Sequence, residues 1–124
     1  MDKLSIEETK YTPKIEFNAE NGKLLVEGKS TPENTFEFFK PALAWLSDYL
    51  SSAQSLEFTF NIPYFNSSSS RVLYDIFDLL DGAKNSCQVK VIWLYANGNE
   101  NGQETGEEFQ EDFEDLDITI QGFN

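Results

Sequence analysis

The sequence predicts a single α/β domain, a mixed β-sheet with helices packed on it. Apolar residues switch between a two-residue spacing and a three-to-four-residue spacing along the chain, so strand-like and helix-like segments alternate. An Asn21-Gly22 pair divides two short alternating segments, as a hairpin turn does. The chain has 124 residues, 40% of them hydrophobic and 15% aromatic, which suffices for one core and is too apolar for a disordered chain.

The elements follow in order. Leu4–Thr9 reads as a short first strand. Lys14–Asn18 alternates Ile15 and Phe17 with polar neighbours, and Lys23–Gly28 follows the Asn-Gly turn, so Lys14–Gly28 is a hairpin. A helix then begins with Thr31 as N-cap and Pro32 at its first position. Phe36, Phe39, Leu43, Leu46 and Leu50 form its apolar stripe, which Trp45 and Tyr49 widen. Pro41 lacks an amide donor and is expected to kink or split this helix. Phe38 and Trp45 lie off the stripe, and an aromatic left exposed here points to a protein contact.

Ser55–Phe65 alternates Leu56, Phe58, Phe60 and Ile62 with polar Glu57, Thr59 and Asn61, and Pro63 should end its pairing. Ser67–Ala83 is a second helix, buried through Val72, Leu73, Ile76, Phe77, Leu79 and Leu80, with Gly82 marking its end. Gln88–Tyr95 is almost wholly apolar after Lys90 and reads as a central strand covered on both faces. Asn97–Gly106 is polar and Gly-rich, hence a loop. Glu107–Glu114 is a short acidic helix or turn held by Phe109 and Phe113, and Asp117–Gln121 is a last strand. There are no repeats and no internal linker.

Charge narrows the function. Nine Lys and Arg face 22 Asp and Glu, a net charge of -13, which disfavours DNA, RNA and anionic lipid and favours protein partners with a basic face. No run is apolar enough to cross a membrane and the N-terminus has no signal-peptide core, so a cytoplasmic protein is expected. There is no His, which removes Ser-His-Asp and Cys-His catalysis and His-ligated zinc. A serine enzyme would need another base, and the serine run carries no Ser-x-x-Lys pattern. The single Cys87 reads as a small buried side chain. No cofactor is implied.

Two stretches have ligand-like spacing. Asn97, Asn99, Asn101, Gly102 and Glu108 match positions of a calcium-binding loop, but a neutral first ligand, Glu104 in an inward apolar place and a preceding strand all favour a solvated loop. The acidic run Gly106–Asp117 reads as a solvated face that adds at most to a partner surface. The third unusual stretch is Asn66–Leu80, NSSSSRVLYDIFDLL. A strand ends there and a helix begins, so free amides and the positive helix end favour an anion, and a phosphorylated serine is tolerated. One serine, Ser68 or Ser69, is expected to cap the helix; capping alone does not explain Asn66 and four hydroxyls together. Arg71 is the cation near enough to pair with a phosphate, whereas Asp75 and Asp78 lie further along.

The long stretch Tyr11–Leu50, followed by YFNSSSSRVLYDIFDLL (Tyr64–Leu80), resembles the SiaC-type regulatory phosphoproteins of bacteria. The resemblance spans nearly the whole chain. Its most specific pieces are Thr12-Pro13, Gly22 with Gly28, Ser30 with Pro32-Glu33-Asn34, Pro41 with Trp45-Leu46, and Tyr64-Phe65-Asn66 leading into the serines. It implies a STAS-like α/β sandwich, similar to anti-sigma-factor antagonists, that works by partner switching and is not an enzyme. In that family a cognate Ser/Thr protein kinase modifies one residue at this helix start, a PP2C-type phosphatase reverses it, and the unmodified form activates a diguanylate cyclase, which governs cyclic di-GMP, aggregation and biofilm formation. The family's residue is typically a Thr after Asn; here that place is Ser67, with Ser68 as competitor. The resemblance thus makes Ser67 the phosphoacceptor, just ahead of the capping serine, and Tyr64, Asn66, Ser68, Ser69 and Arg71 its turn and partner surface. Lys29, Asn18 and Phe39 depart from the family's usual Arg, Asp and Tyr. An anti-sigma-factor antagonist is the alternative role.

Overall fold

Residues 1–124 are described by a computed structural model. The strands are β1 (Leu4–Ile6), β2 (Lys14–Asn18), β3 (Lys23–Glu27), β4 (Ser55–Asn61), β5 (Gln88–Ala96) and β6 (Asp117–Phe123). The helices are α1 (Thr35–Leu50), α2 (Ser67–Ala83) and α3 (Glu100–Asp112). The strands form one sheet in the order β1-β2-β3-β4-β5-β6. The first two pairings are antiparallel and the last three parallel, so the sheet is mixed, as expected.

Alternation sets the core. Phe17, Leu24, Phe58, Val91 and Ile118 form one row across five strands; Ile15, Val26, Phe60, Trp93 and Ile120 form the next. All three helices pack on this side, through Trp45 of α1 on Phe17, Phe77 of α2 on Phe60 and Phe109 of α3 on Trp93. Three successive parallel crossovers step the same way along the sheet and have one hand, which places their helices on one face. The reading of β5 as covered on both faces is therefore corrected. Ile92 and Leu94 stay half-buried on the open side, in rows with Thr59, Thr119 and Asn61.

Other expectations shift as well. Only Gly22 of the turn pair takes positive φ (69°), while Asn21 uses its side chain to accept from the Lys23 amide. The cap of α1 is Asn34 rather than Thr31. Thr31 is held outside the helix because its amide donates to the Tyr11 carbonyl and Ser30 pairs with Phe65. Pro41 does not split α1, which is continuous to Leu50. Thr35 takes the inward place in the first turn, so Phe36 is 56% exposed instead of joining the stripe. Trp45 is half-buried between Phe17 and Tyr49 and donates to the Asp2 carbonyl (2.7 Å), and Phe38 packs edge-on to Phe39.

The largest departure is α3. Asn97–Gly106 is not the loop that its polar, Gly-rich composition predicts but is helical from Glu100, capped by Asn99. Gly106 makes close contact possible. A Cβ on Gly106 would lie 2.6 Å from Trp93 Cδ1. Trp93 Nε1 donates to the Gly102 carbonyl (2.9 Å), so a helix lies directly on the indole. Asn101, Gly102 and Glu108 are then helical, and no calcium-type loop is formed. Phe109 and Phe113 are buried as expected, and so is Cys87, where burial pushes the thiol pKa up.

Candidate functional site at the start of α2

β3, β4, β5 and β6 all finish at one end of the sheet, and all three helices begin there. Each is capped by an asparagine whose side chain accepts from the third helical amide: Asn34 from Glu37, Asn66 from Ser69, Asn99 from Gly102. Three positive helix ends therefore share one end of a strongly acidic chain.

The cap of α2 is Asn66, not Ser68 or Ser69. Asparagine reaches the Ser69 amide (2.9 Å), which frees the serines for other work. The four hydroxyls then differ. Ser69 is fully buried; its hydroxyl donates to the Ser30 carbonyl (3.1 Å) and lies 2.8 Å from Ser30 Oγ. Since Ser69 spends its one proton on the carbonyl, Ser30 donates the second bond. Ser68 donates to Asn66 Oδ1 (3.1 Å) and is 2.6 Å from Thr35 Oγ1, which by the same count is the donor. Ser70 is half-buried. Ser67, the first helical residue, is exposed and its hydroxyl is bound to nothing in the chain.

Ser30 and Thr35 thus stitch the segment before α1 to the first turn of α2. Sequence reasoning did not assign them to the site, because the pairing is across 39 and 33 residues and has no local signal. Arg71 stands one turn beyond Ser67 on the same side of α2, exposed and 3.8 Å from Asp75. Tyr64 precedes the turn and is 59% exposed. The carbonyl of Pro63 accepts from Asn99 Nδ2 (3.2 Å), tying the turn to the start of α3.

Aromatics surround this end. Of the five large hydrophobics left exposed, Tyr11, Phe36, Tyr64 and Phe123 all stand where the parallel strands finish, and only Met1 lies at the other end. Tyr11 is brought in by the bond from the Thr31 amide to its carbonyl. Exposed aromatics at one end of the sheet make that end the candidate contact surface. Of these four, the sequence points to Tyr64 alone.

Comparison with known proteins agrees with this geometry. The model of the SiaC family regulatory phosphoprotein matches residues 6–123. A chain in the crystal structure of the diguanylate cyclase SiaD in complex with its activator SiaC, from Pseudomonas aeruginosa, is 34% identical, with a TM-score of 0.90 over 97% of this chain and 99% of that one. SiaC of the same species is 32% identical, with a TM-score of 0.91 over 99% and 100% of the two chains. An uncharacterised protein of P. aeruginosa strain UCBPP-PA14 is 37% identical over 102 residues, 81% of each chain. The chain belongs to the SiaC family of regulatory phosphoproteins, and it is a regulatory protein rather than an enzyme.

Proposed function

We propose that this chain is a switch in which Ser67 is reversibly phosphorylated and the unphosphorylated form binds and activates a diguanylate cyclase. The carrying observation is that Ser67 alone among the four serines is both exposed and free of side-chain hydrogen bonds, at the end of the sheet that also carries exposed aromatics. A Ser/Thr protein kinase can reach this hydroxyl without breaking a bond, and a PP2C-type phosphatase can reach the phosphate. Ser68 is a poorer acceptor, because modifying it breaks the links to Asn66 and Thr35.

A phosphate adds roughly -1.5 to -2 charge and three acceptors. The α2 start tolerates it, and Arg71 can leave Asp75 to meet it. A partner packed on Tyr11, Phe36 and Tyr64 does not, because it would have to desolvate a dianion. The solved complex of a SiaC with its cyclase favours a cyclase partner over an anti-sigma factor, though the same surface would serve an anti-sigma-factor antagonist. A cytoplasmic site of action and control of aggregation and biofilm through cyclic di-GMP follow from this reading.

The test uses the purified cyclase of the same cell, with binding and cyclic di-GMP synthesis measured against wild type, Ser67→Ala, Ser67→Asp and Ser68→Ala. Ser67→Ala should bind and activate while resisting the kinase, and Ser67→Asp should bind more weakly. Kinase labelling that survives Ser67→Ala and is lost in Ser68→Ala moves the switch to Ser68. Equal binding by all four forms ends the proposal.

A further inference from the structure

The seam between α1 and α2 holds an open groove of about 740 Å³. Leu43, Ala44 and Leu79 line it, and Phe36 stands at the end nearest Ser67. It exists because small side chains, Ala44 and Ser47, occupy the places where α1 faces α2 at the surface. Towards the helix C-termini it runs into a second hollow of about 410 Å³ that shares Ser47, Asp78 and Leu79. From Phe36 to Ser51 the seam spans roughly 20 Å at 1.5 Å per residue, the length of about four helical turns.

The rims carry charge of one dominant sign. Glu37, Asp75 and Asp78 border the groove against Lys40 alone. A second copy of this chain would bring another 22 acidic residues against nine basic ones, so self-association is opposed. We propose that this groove receives an amphipathic helix of a protein partner, with Leu- or Met-type side chains on the groove floor and Lys or Arg along both flanks. An apolar trough between two parallel helices suits that mode of recognition, and the acidic rims select the flanking charge. Phe36 belongs both to the groove and to the exposed aromatics at the end of the sheet where Ser67 lies, so one partner can touch both. The inference rests on the reading that the chain acts by binding another protein.

The probe is a labelled peptide of Leu and Lys, with Leu at helical spacing, and its control replaces each Lys with Glu. Binding is read by fluorescence anisotropy and by amide chemical shifts on the isotope-labelled full chain. Ala44→Gln with Ser47→Gln fills the groove without altering net charge, and both positions are exposed, so folding is spared. The Lys peptide should bind saturably, shift Leu43, Ala44 and Leu79, and weaken about tenfold in the double variant and in Phe36→Ala, while the Glu peptide stays free. Shifts scattered over the acidic surface, or affinity unchanged in both variants, overturn the proposal. A wild-type dimer in sedimentation that the double variant abolishes also overturns it, because the occupant is then a second copy. The purified cyclase separates this inference from the switch. If wild type and the double variant bind it equally, the groove proposal falls and the switch stands. If wild type does not bind it at all, the switch falls and the peptide result decides the groove.

Discussion

Two glycines in helices should respond to the same substitution with opposite signs. Gly106 of α3 lies against Trp93, and an added Cβ would meet Cδ1 at 2.6 Å and Cγ and Nε1 at 3.1 Å. The indole cannot yield cheaply, since it is 1% exposed, packed on Phe60 and Phe109, and hydrogen-bonded to Gly102. Overpacking costs ~1–3 kcal/mol and a weakened hydrogen bond ~0.5–1.5 kcal/mol, against ~1 kcal/mol gained in helix propensity. Gly106→Ala should therefore destabilise by about 2 kcal/mol. Gly82 of α2 has nothing within 4 Å of its added Cβ. Gly82→Ala should stabilise by ~0.4–1 kcal/mol. Urea titrations followed by far-UV circular dichroism, with near-UV dichroism reporting the indoles, measure both. If Gly106→Ala stabilises as Gly82→Ala does, α3 does not lie on Trp93 and the account of Asn97–Gly106 is wrong.

Three other outcomes are expected. Ser69→Ala removes the acceptor of the buried Ser30 hydroxyl and should cost ~1–3 kcal/mol, whereas Ser67→Ala should stay within ~0.5 kcal/mol of wild type. Pairing Ser30→Ala with Ser69→Ala should cost less than the sum of the singles, and strict additivity would deny the contact. Asn66→Ala should cost ~0.5–2 kcal/mol in chemical denaturation, while Asn66→Asp, still able to cap, should not. The Tyr74 hydroxyl donates to Asp112, and that bond, with burial and the charges of Asp112 and Glu108, pushes its pKa up to about 12. A raised pKa means stability present below the ordinary tyrosine value of 10.0 and lost as pH climbs through about 12. Tyr74→Phe should therefore lose stability less steeply than wild type over that window, and parallel pH curves would refute the α2–α3 link.

The fold was legible wherever one periodicity dominated. β4 declared itself through Leu56, Phe58 and Phe60 against Glu57 and Thr59, and α2 through its Val72-to-Leu80 stripe. What misled was chemistry that periodicity does not encode. Gly102 and Gly106 read as loop because glycine weakens helices, yet here the missing side chain of Gly106 admits Trp93 and that of Gly102 leaves room for Asn99 and Tyr95. Ile92 and Leu94 read as doubly buried because composition does not reveal that three crossovers share a face. Phe36 read as core because spacing alone cannot tell that Thr35, bonded to Ser68, holds the inward place. The serine run was visible as a site, but its division of labour depends on Ser30 and Thr35, which are distant in sequence.

That division explains why the run is polar throughout and why one exposed hydroxyl in it is left unbonded. The chain already carries -13, so one more phosphate changes the total by about 12–15%, and at physiological salt its field fades beyond ~8 Å. The α2 helix end offsets only ~0.3–1 kcal/mol of the added charge. Neither quantity can switch a partner at a distance. The effect has to arise where the phosphate would be taken out of water, and a buried, poorly paired charge costs several kcal/mol there. Ser68 and Ser69 cannot serve, because their hydroxyls tie α2 to Thr35 of α1 and to Ser30 before it, and modifying them would loosen the fold itself. The Ser67 hydroxyl bonds nothing within the chain and stands at the end of the sheet that carries the exposed aromatics. In the proposed switch, modification there would leave the protein folded and read out solely at the contact, which is the property a reversible switch requires.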